Sequence, residues 1–257
     1  MSHRKLLNTL ILAALAVPCV ALAEDAAPAA PAVTSNVALV SNYLYRGISQ
    51  TGGKPALQGG FDYAHSSGFY AGVWGSSISW ISDAAVASNA GVELDTYFGF
   101  KNAFATDFSY DVGFLRYNYP GTYGVLPAGV AKADTNEVYG ALGYKWLTAK
   151  YSYSLGDTFA VAGARGTDYL DLSANYPVAD TGITLGAHYG KQTYKGLYAG
   201  TGATALSYND YKLSVSKDFS GYVLGLAYSK TNATPVYTVL GKQLGKGTAV
   251  LSLTRTF

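Results

Sequence analysis

The chain has 257 residues, with 18 basic and 16 acidic side chains, and is 13% charged against 49% hydrophobic. A soluble domain usually carries about 25% charged residues, and so even a balance offers no basic surface for nucleic acid. The composition suits a membrane, yet beyond residue 23 no window holds the ~18 continuous apolar residues of a membrane helix.

The N-terminus begins with Arg4 and Lys5, continues as an apolar run from Leu6 to Leu22, and closes on Ala21-Leu22-Ala23. A basic start, an apolar stretch and a small-x-small end make a secretory signal peptide, with cleavage expected after Ala23. An uncleaved anchor is the other reading, disfavoured by Glu24 and Asp25, which follow where a basic stop would stand. Processing removes Cys19, the one cysteine, so no disulfide can form. It also removes Arg4 and Lys5, leaving basic and acidic groups equal in number. Glu24–Ser35 (EDAAPAAPAVTS) reads as a flexible leader. The domain plan is therefore 1–23 signal peptide, 24–35 leader and 36–257 barrel.

From Val37 onward the pattern alternates with period two, the signature of strands. Twelve segments are expected: Val37–Arg46, Ala56–Ala64, Phe69–Ser76, Val92–Phe104, Phe108–Tyr119, Glu137–Gly143, Trp146–Leu155, Thr167–Tyr176, Ile183–Lys191, Asp210–Lys217, Tyr222–Lys230 and Gly247–Phe257. Their connections alternate long and short. The short ones fall near His65–Gly68, Ala105–Asp107, Tyr144–Lys145, Pro177–Gly182 and Asp218–Gly221. Tight turns on one side and long loops on the other mark transmembrane barrels. In lipid a closed barrel satisfies every backbone group without a helix. The expected fold is all-β, a transmembrane antiparallel up-and-down barrel of about 12 strands.

Alternation also assigns faces. Val92, Leu94, Phe98 and Phe100 form an outward set, and Leu224 and Leu226 another. The inward set, candidate lining of a lumen, holds Arg46, Asp62, Glu93, Asp95, Lys101, Asp111, Glu137, Lys150, Asp171, His188 and Lys212. Hairpin pairing puts Lys101 opposite Asp111, Asp171 opposite His188, and Tyr139 opposite Lys150. Tyr63, Tyr176, Tyr189 and Tyr222 near strand ends suit an interfacial girdle, where the ring is in hydrocarbon and the hydroxyl meets water. Arg116 and Arg255 fall on the outward parity near strand ends, where a long side chain can reach the interface.

Twelve strands lie between barrels filled by side chains and barrels with an aqueous channel. The inward Gly, Ala and Ser favour an open pore, while mutual neutralisation of the inward charges favours a plug. The Asp171–His188 pair invites a catalytic reading with Ser173 or Ser214, against which a structural lumen pair or a pH-sensitive pair stands. Glu93 with Asp95 invites a divalent cation, against the reading of a solvated wall. His65-Ser66-Ser67 reads as a turn, and the Gly-rich stretch Tyr194–Ser207 as a loop over the mouth. No cofactor, metal site or enzymatic activity is expected.

Four segments carry a family resemblance: SNYLYRGISQT (Ser41–Thr51), PALQGGFDYAHSSGFYAGVWGS (Pro55–Ser76), SKDFSGYVLGLAYSKT (Ser216–Thr231) and the terminal LSLTRTF (Leu251–Phe257). Together they resemble the TorF-like porin family of proteobacteria over essentially the whole mature chain. The resemblance implies an outer-membrane barrel surrounded by lipid and lipopolysaccharide, and passive diffusion of small polar solutes. It implies no catalytic or ligand residues. Phe257 resembles the terminal aromatic of the signal read by the barrel-assembly machinery, although Arg255 departs from the apolar residue usual at its position. A non-conducting barrel that binds a partner or supports the envelope is the alternative.

Overall fold

The computed structural model describes residues 32–199, 202 and 205–257; the signal peptide, its cleavage site and the leader up to residue 31 fall outside these. The strands are β1 (Ala32–Val40), β2 (Leu44–Tyr45), β3 (Ile48–Ser49), β4 (Ala56–Ala64), β5 (Phe69–Ser77), β6 (Val92–Ala105), β7 (Phe108–Asn118), β8 (Thr135–Tyr144), β9 (Leu147–Ser154), β10 (Asp168–Val178), β11 (Ile183–Thr193), β12 (Tyr208–Phe219), β13 (Tyr222–Thr231), β14 (Thr238–Val239), β15 (Lys242–Gln243) and β16 (Thr248–Thr256). One helical turn, α1 (Trp80–Asp83), sits between β5 and β6. Twelve strands, all except the miniature hairpins β2–β3 and β14–β15, close into a single barrel in which each pairs with the one before and after it. Closure comes from β1, antiparallel to both β4 and β16.

The turns on one side are terse because their residues tolerate positive φ. Ser220-Gly221 joins Phe219 to Tyr222 with φ of 56° and 92°, the left-handed pair that a two-residue hairpin needs. Lys145 (φ 51°) and Asp107 (φ 67°) serve two other hairpins, and their side chains approach to 3.6 Å. His65–Gly68 is a turn as well, closed by the hydrogen bond from Gly68 N to His65 O.

Outward side chains along the strands are apolar and exposed, among them Leu57, Phe61, Phe98, Val112, Leu172, Leu213, Leu224 and Leu251. Such a continuous greasy exterior is the surface a barrel presents to hydrocarbon. Arg255 faces out at the short-turn rim, its guanidinium 4.6 Å from the Tyr222 ring and 5.6 Å from that of Phe257, donating to Ser220 O. Arg116, outward at the other rim, donates to Asn118, Asn136 and Asp134.

Several expected details need correction. Ala32–Ser35, expected in the leader, pair with Phe61–Ala64 and belong to β1. That strand stops at Val40, well short of Arg46, because the chain turns inward. Lys101 does face Asp111, with a bulge between Ala103 and Ala105 absorbing the turn. Two hairpins sit two residues from the expected register: Lys150 faces Ala141 rather than Tyr139, and His188 faces Ser173 rather than Asp171. A shift of two preserves parity, so every inward residue stays inward.

Candidate functional site in the barrel lumen

The segment from Ser41 to Pro55 leaves β1 at the long-loop rim and folds down into the barrel. Its core is the β2–β3 hairpin, turned by Arg46 (φ 47°) and Gly47 (φ 76°). Asn42 ties the two legs together, its Oδ1 accepting from Ser49 Oγ at 2.6 Å and Thr51 Oγ1 at 3.1 Å. Tyr43, Leu44 and Ile48 are buried, and Tyr43 and Leu44 join Ile81, Tyr117 and Tyr119 in an apolar cluster inside the barrel mouth. A Cβ on Gly47 would lie 2.5 Å from Thr231 Cγ2 and 2.8 Å from Asp210 Cβ. The hairpin tip therefore rests against the β12–β13 wall with no room for a side chain.

Arg46 crosses the lumen. The segment is rooted between β1 and β4, whereas Arg46 Nη2 meets Glu137 Oε2 of β8 at 2.7 Å and Nη1 meets Gln192 Oε1 of β11 at 2.9 Å. In the order of the barrel, β8 and β11 flank the side away from β1 and β4. The guanidinium packs 4.3 Å from the Tyr169 ring and 4.9 Å from that of Tyr45, and its side chain is 7% exposed. Burial pulls the Arg46 pKa down, but the Glu137 carboxylate outweighs it and holds the group well above its ordinary value. Glu137 also accepts from Tyr117 and Ser154, so its remaining lone pairs are satisfied. Burial likewise raises the Tyr45 hydroxyl, which shares a 2.5 Å hydrogen bond with Tyr117.

Around this plug the wall is lined by tyrosines lying over glycines. A Cβ on Gly72 would meet the Tyr97 ring at 2.5 Å and one on Gly113 the Tyr139 ring at 2.6 Å; Gly99 is covered by Tyr70 and Gly190 by Tyr169. This overturns the expectation that inward glycines signal an open bore. The space each one vacates is taken by a ring from another strand, which hugs the wall instead of projecting to the axis. Near the long-loop rim the 41–55 segment crosses the interior, carrying Arg46 to the far wall.

The other candidates form networks below the plug. Tyr97 donates to Asp62 at 2.5 Å, and Tyr70 to Asp111 at 2.6 Å while also bonding Tyr139. Lys101 Nζ lies 5.1 Å above the Tyr70 ring and Lys150 Nζ 3.8 Å above that of Tyr139, so the lysines lie over aromatic faces. Asp171 and His188 do meet, diagonally: His188 Nδ1 is 3.3 Å from Asp171 and its Nε2 is 2.8 Å from Asp210. Lys212 is the register partner of His188. Glu93 and Asp95 do not line a solvated wall; both are buried beside the plug, where Tyr43 donates to Glu93 at 3.0 Å. Phe257 is exposed at the short-turn rim.

Sequence reasoning missed Gln192 and Asp210, while parity put Tyr169 on the inward face without giving it a role. Asp210 was legible from parity, since it shares a face with Lys212. Gln192 was placed in a loop because β11 runs further than its alternation suggests.

A serine-histidine-carboxylate constellation is present but unsuited to nucleophilic chemistry. Ser173 Oγ donates to Asp171 at 2.5 Å and is 3.2 Å from His188 Nδ1. Carboxylate oxygens lie at both ring nitrogens, and the Ser173 hydroxyl donates to Asp171 instead of to the imidazole that a nucleophilic serine needs as its base. The neighbouring backbone amides are committed to the sheet ladder rather than to an oxyanion. Among the described residues no group of three or more His, Cys, Asp or Glu is arranged to hold a metal ion.

A family model described as a bacterial protein of unknown function, Gcw_chp, matches residues 23–257. The chain belongs to the Gcw_chp family. No curated protein sequence matches it. Among solved structures this Gcw_chp protein is similar to the NanC porin, with 8% identity, 88% of this chain and 99% of that one covered, and a TM-score of 0.54. The KdgM porin, solved in complex with disordered oligogalacturonate, has 8% identity, coverage of 88% and 98%, and a TM-score of 0.49. Pseudomonas aeruginosa OprD gives 13% identity, coverage of 88% and 66%, and a TM-score of 0.37. At such identities the likeness to NanC shows the fold alone: the Gcw_chp chain is a porin-like barrel.

Proposed function

We propose that this protein is an outer-membrane channel for small polar solutes whose route is held shut by the 41–55 segment. The observation that carries the reading is Arg46, which reaches across the lumen from a segment rooted at β1 and β4 to Glu137 and Gln192. The segment meets the wall through Arg46 and through the Tyr43–Leu44 apolar cluster, whereas the wall itself is a complete hydrogen-bonded cylinder in which the segment takes no part. Its removal would expose Asp62, Lys101, Asp111, Lys150, Asp171, His188 and Lys212 to water along one passage. The signal peptide supports export, the apolar exterior supports insertion beside lipid and lipopolysaccharide, and Phe257 supports recognition by the assembly machinery. The four segments that resemble TorF-like porins include most of the plug, Ser41–Thr51.

Planar-bilayer recording tests the reading. Wild-type protein is expected to stay closed or open briefly, and a variant in which a short Gly-Ser linker replaces 42–50 is expected to give stable stepwise conductance. A silent deletion variant that still shows a β-sheet spectrum would refute the channel and leave the non-conducting barrel.

A further inference from the structure

Two carboxylates in the barrel mouth have no visible counter-charge. Glu93 and Asp95 stand two residues apart on the inward face of β6, 1% and 3% exposed. Tyr43 takes up Glu93 Oε1, but Glu93 Oε2 and Asp95 Oδ1 are buried without any hydrogen-bond partner. Among the described residues neither acid forms an ion pair, and Arg46, the cation of the plug, is committed to Glu137 and Gln192. Ionised groups removed from water require a compensating charge or full hydrogen bonding, and orphaned buried oxygens call for an unseen partner.

We propose that one hard divalent cation binds between Glu93 and Asp95, at the seam where the 41–55 segment meets the barrel wall. The two carboxylates together match a double positive charge. Every donor at hand is oxygen, which selects calcium-like ions over soft metals, with water completing the coordination shell. Tyr43, which bonds Glu93 from the plug side, links occupancy to the seating of that segment. The site stands whether or not the barrel conducts, since it needs only the two acids and their burial.

The test uses the full mature chain in detergent, stripped with a chelator and titrated with terbium and calcium. Terbium emission is read by exciting Trp74, the register neighbour of Asp95. The expected result is one saturable terbium site, displaced by calcium, and a calcium-dependent rise in melting temperature. The double variant Glu93→Gln with Asp95→Asn keeps both shapes and removes both charges, so it should fold; its terbium affinity is expected to fall at least tenfold and the calcium effect to vanish. Absence of a saturable site in wild type overturns the proposal, as does a double variant that binds equally well. A protonated-carboxyl infrared band that persists in wild type under excess calcium and is absent from the double variant also overturns it, because the pair would then hold a proton instead.

Discussion

Replacing Arg46 with alanine is expected to destabilise the folded barrel by about 3–5 kcal/mol, the cost of leaving a buried carboxylate without its partner. Glu137 is 2% exposed at its side chain, and Arg46 is its salt-bridge partner at 2.7 Å. Two responses are open to the protein. Either Glu137 remains dry and the full cost is felt, or the 41–55 segment lifts and water enters the lumen at a smaller cost in stability. Denaturant unfolding in detergent and bilayer recording of the same variant distinguish these responses. The double variant Arg46→Met with Glu137→Gln removes both charges and is expected to recover most of the loss, since apolar or neutral replacement of a whole buried pair is often nearly neutral. Wild-type stability in Arg46→Ala, together with wild-type silence, would show that the ion pair holds nothing in place.

The second large effect concerns the tyrosine-over-glycine wall. Gly72→Ala would place a methyl carbon 2.5 Å from two ring carbons of Tyr97 and from its hydroxyl oxygen. Overpacking of this kind costs about 1–3 kcal/mol. The ring cannot yield without breaking its hydrogen bond to Asp62. Adding Tyr97→Ala should therefore make the alanine at 72 nearly harmless, and a double-mutant cycle reads the coupling directly. Additive effects in that cycle would mean that the ring does not lie over Gly72. Gly53, where an added Cβ meets nothing within 4 Å, is a poorer control because its φ of +82° strains any side chain; Gly140, with nothing closer than 4.0 Å, is the better one.

The cylinder was legible in the sequence because lipid and lumen impose period two on every strand, as in Val92–Lys101, where Glu93 and Asp95 alternate with Val92 and Leu94. Short turns were legible because Ser220-Gly221 and His65–Gly68 carry turn residues at the right spacing. Parity survived even where register did not. Tyr144 pairs with Leu147 across Lys145-Trp146, moving β9 by two residues, a slip that alternation cannot detect. The plug was hidden for a related reason. Asn42-Tyr43-Leu44-Tyr45-Arg46 continues the alternation of β1, so the segment reads as strand. Only Gly47, following an arginine with positive φ, marks the turn. The covered glycines were misread because vacancy or occupancy at Gly99 and Gly190 depends on Tyr70 and Tyr169 from neighbouring strands. Sequence alternation fixes which way a residue faces, while cross-strand register decides what it meets.

Placement of the 41–55 segment inside the barrel is tested most directly by Ile48→Cys in a chain expressed without residues 1–23, in which it is the only cysteine. Ile48 lies on the β2–β3 hairpin and is 7% exposed. Its thiol is expected to stay unlabelled by a bulky water-soluble maleimide in the folded barrel and to react fully once the protein is denatured. Rapid labelling of the folded barrel would place the hairpin outside the lumen and contradict the account.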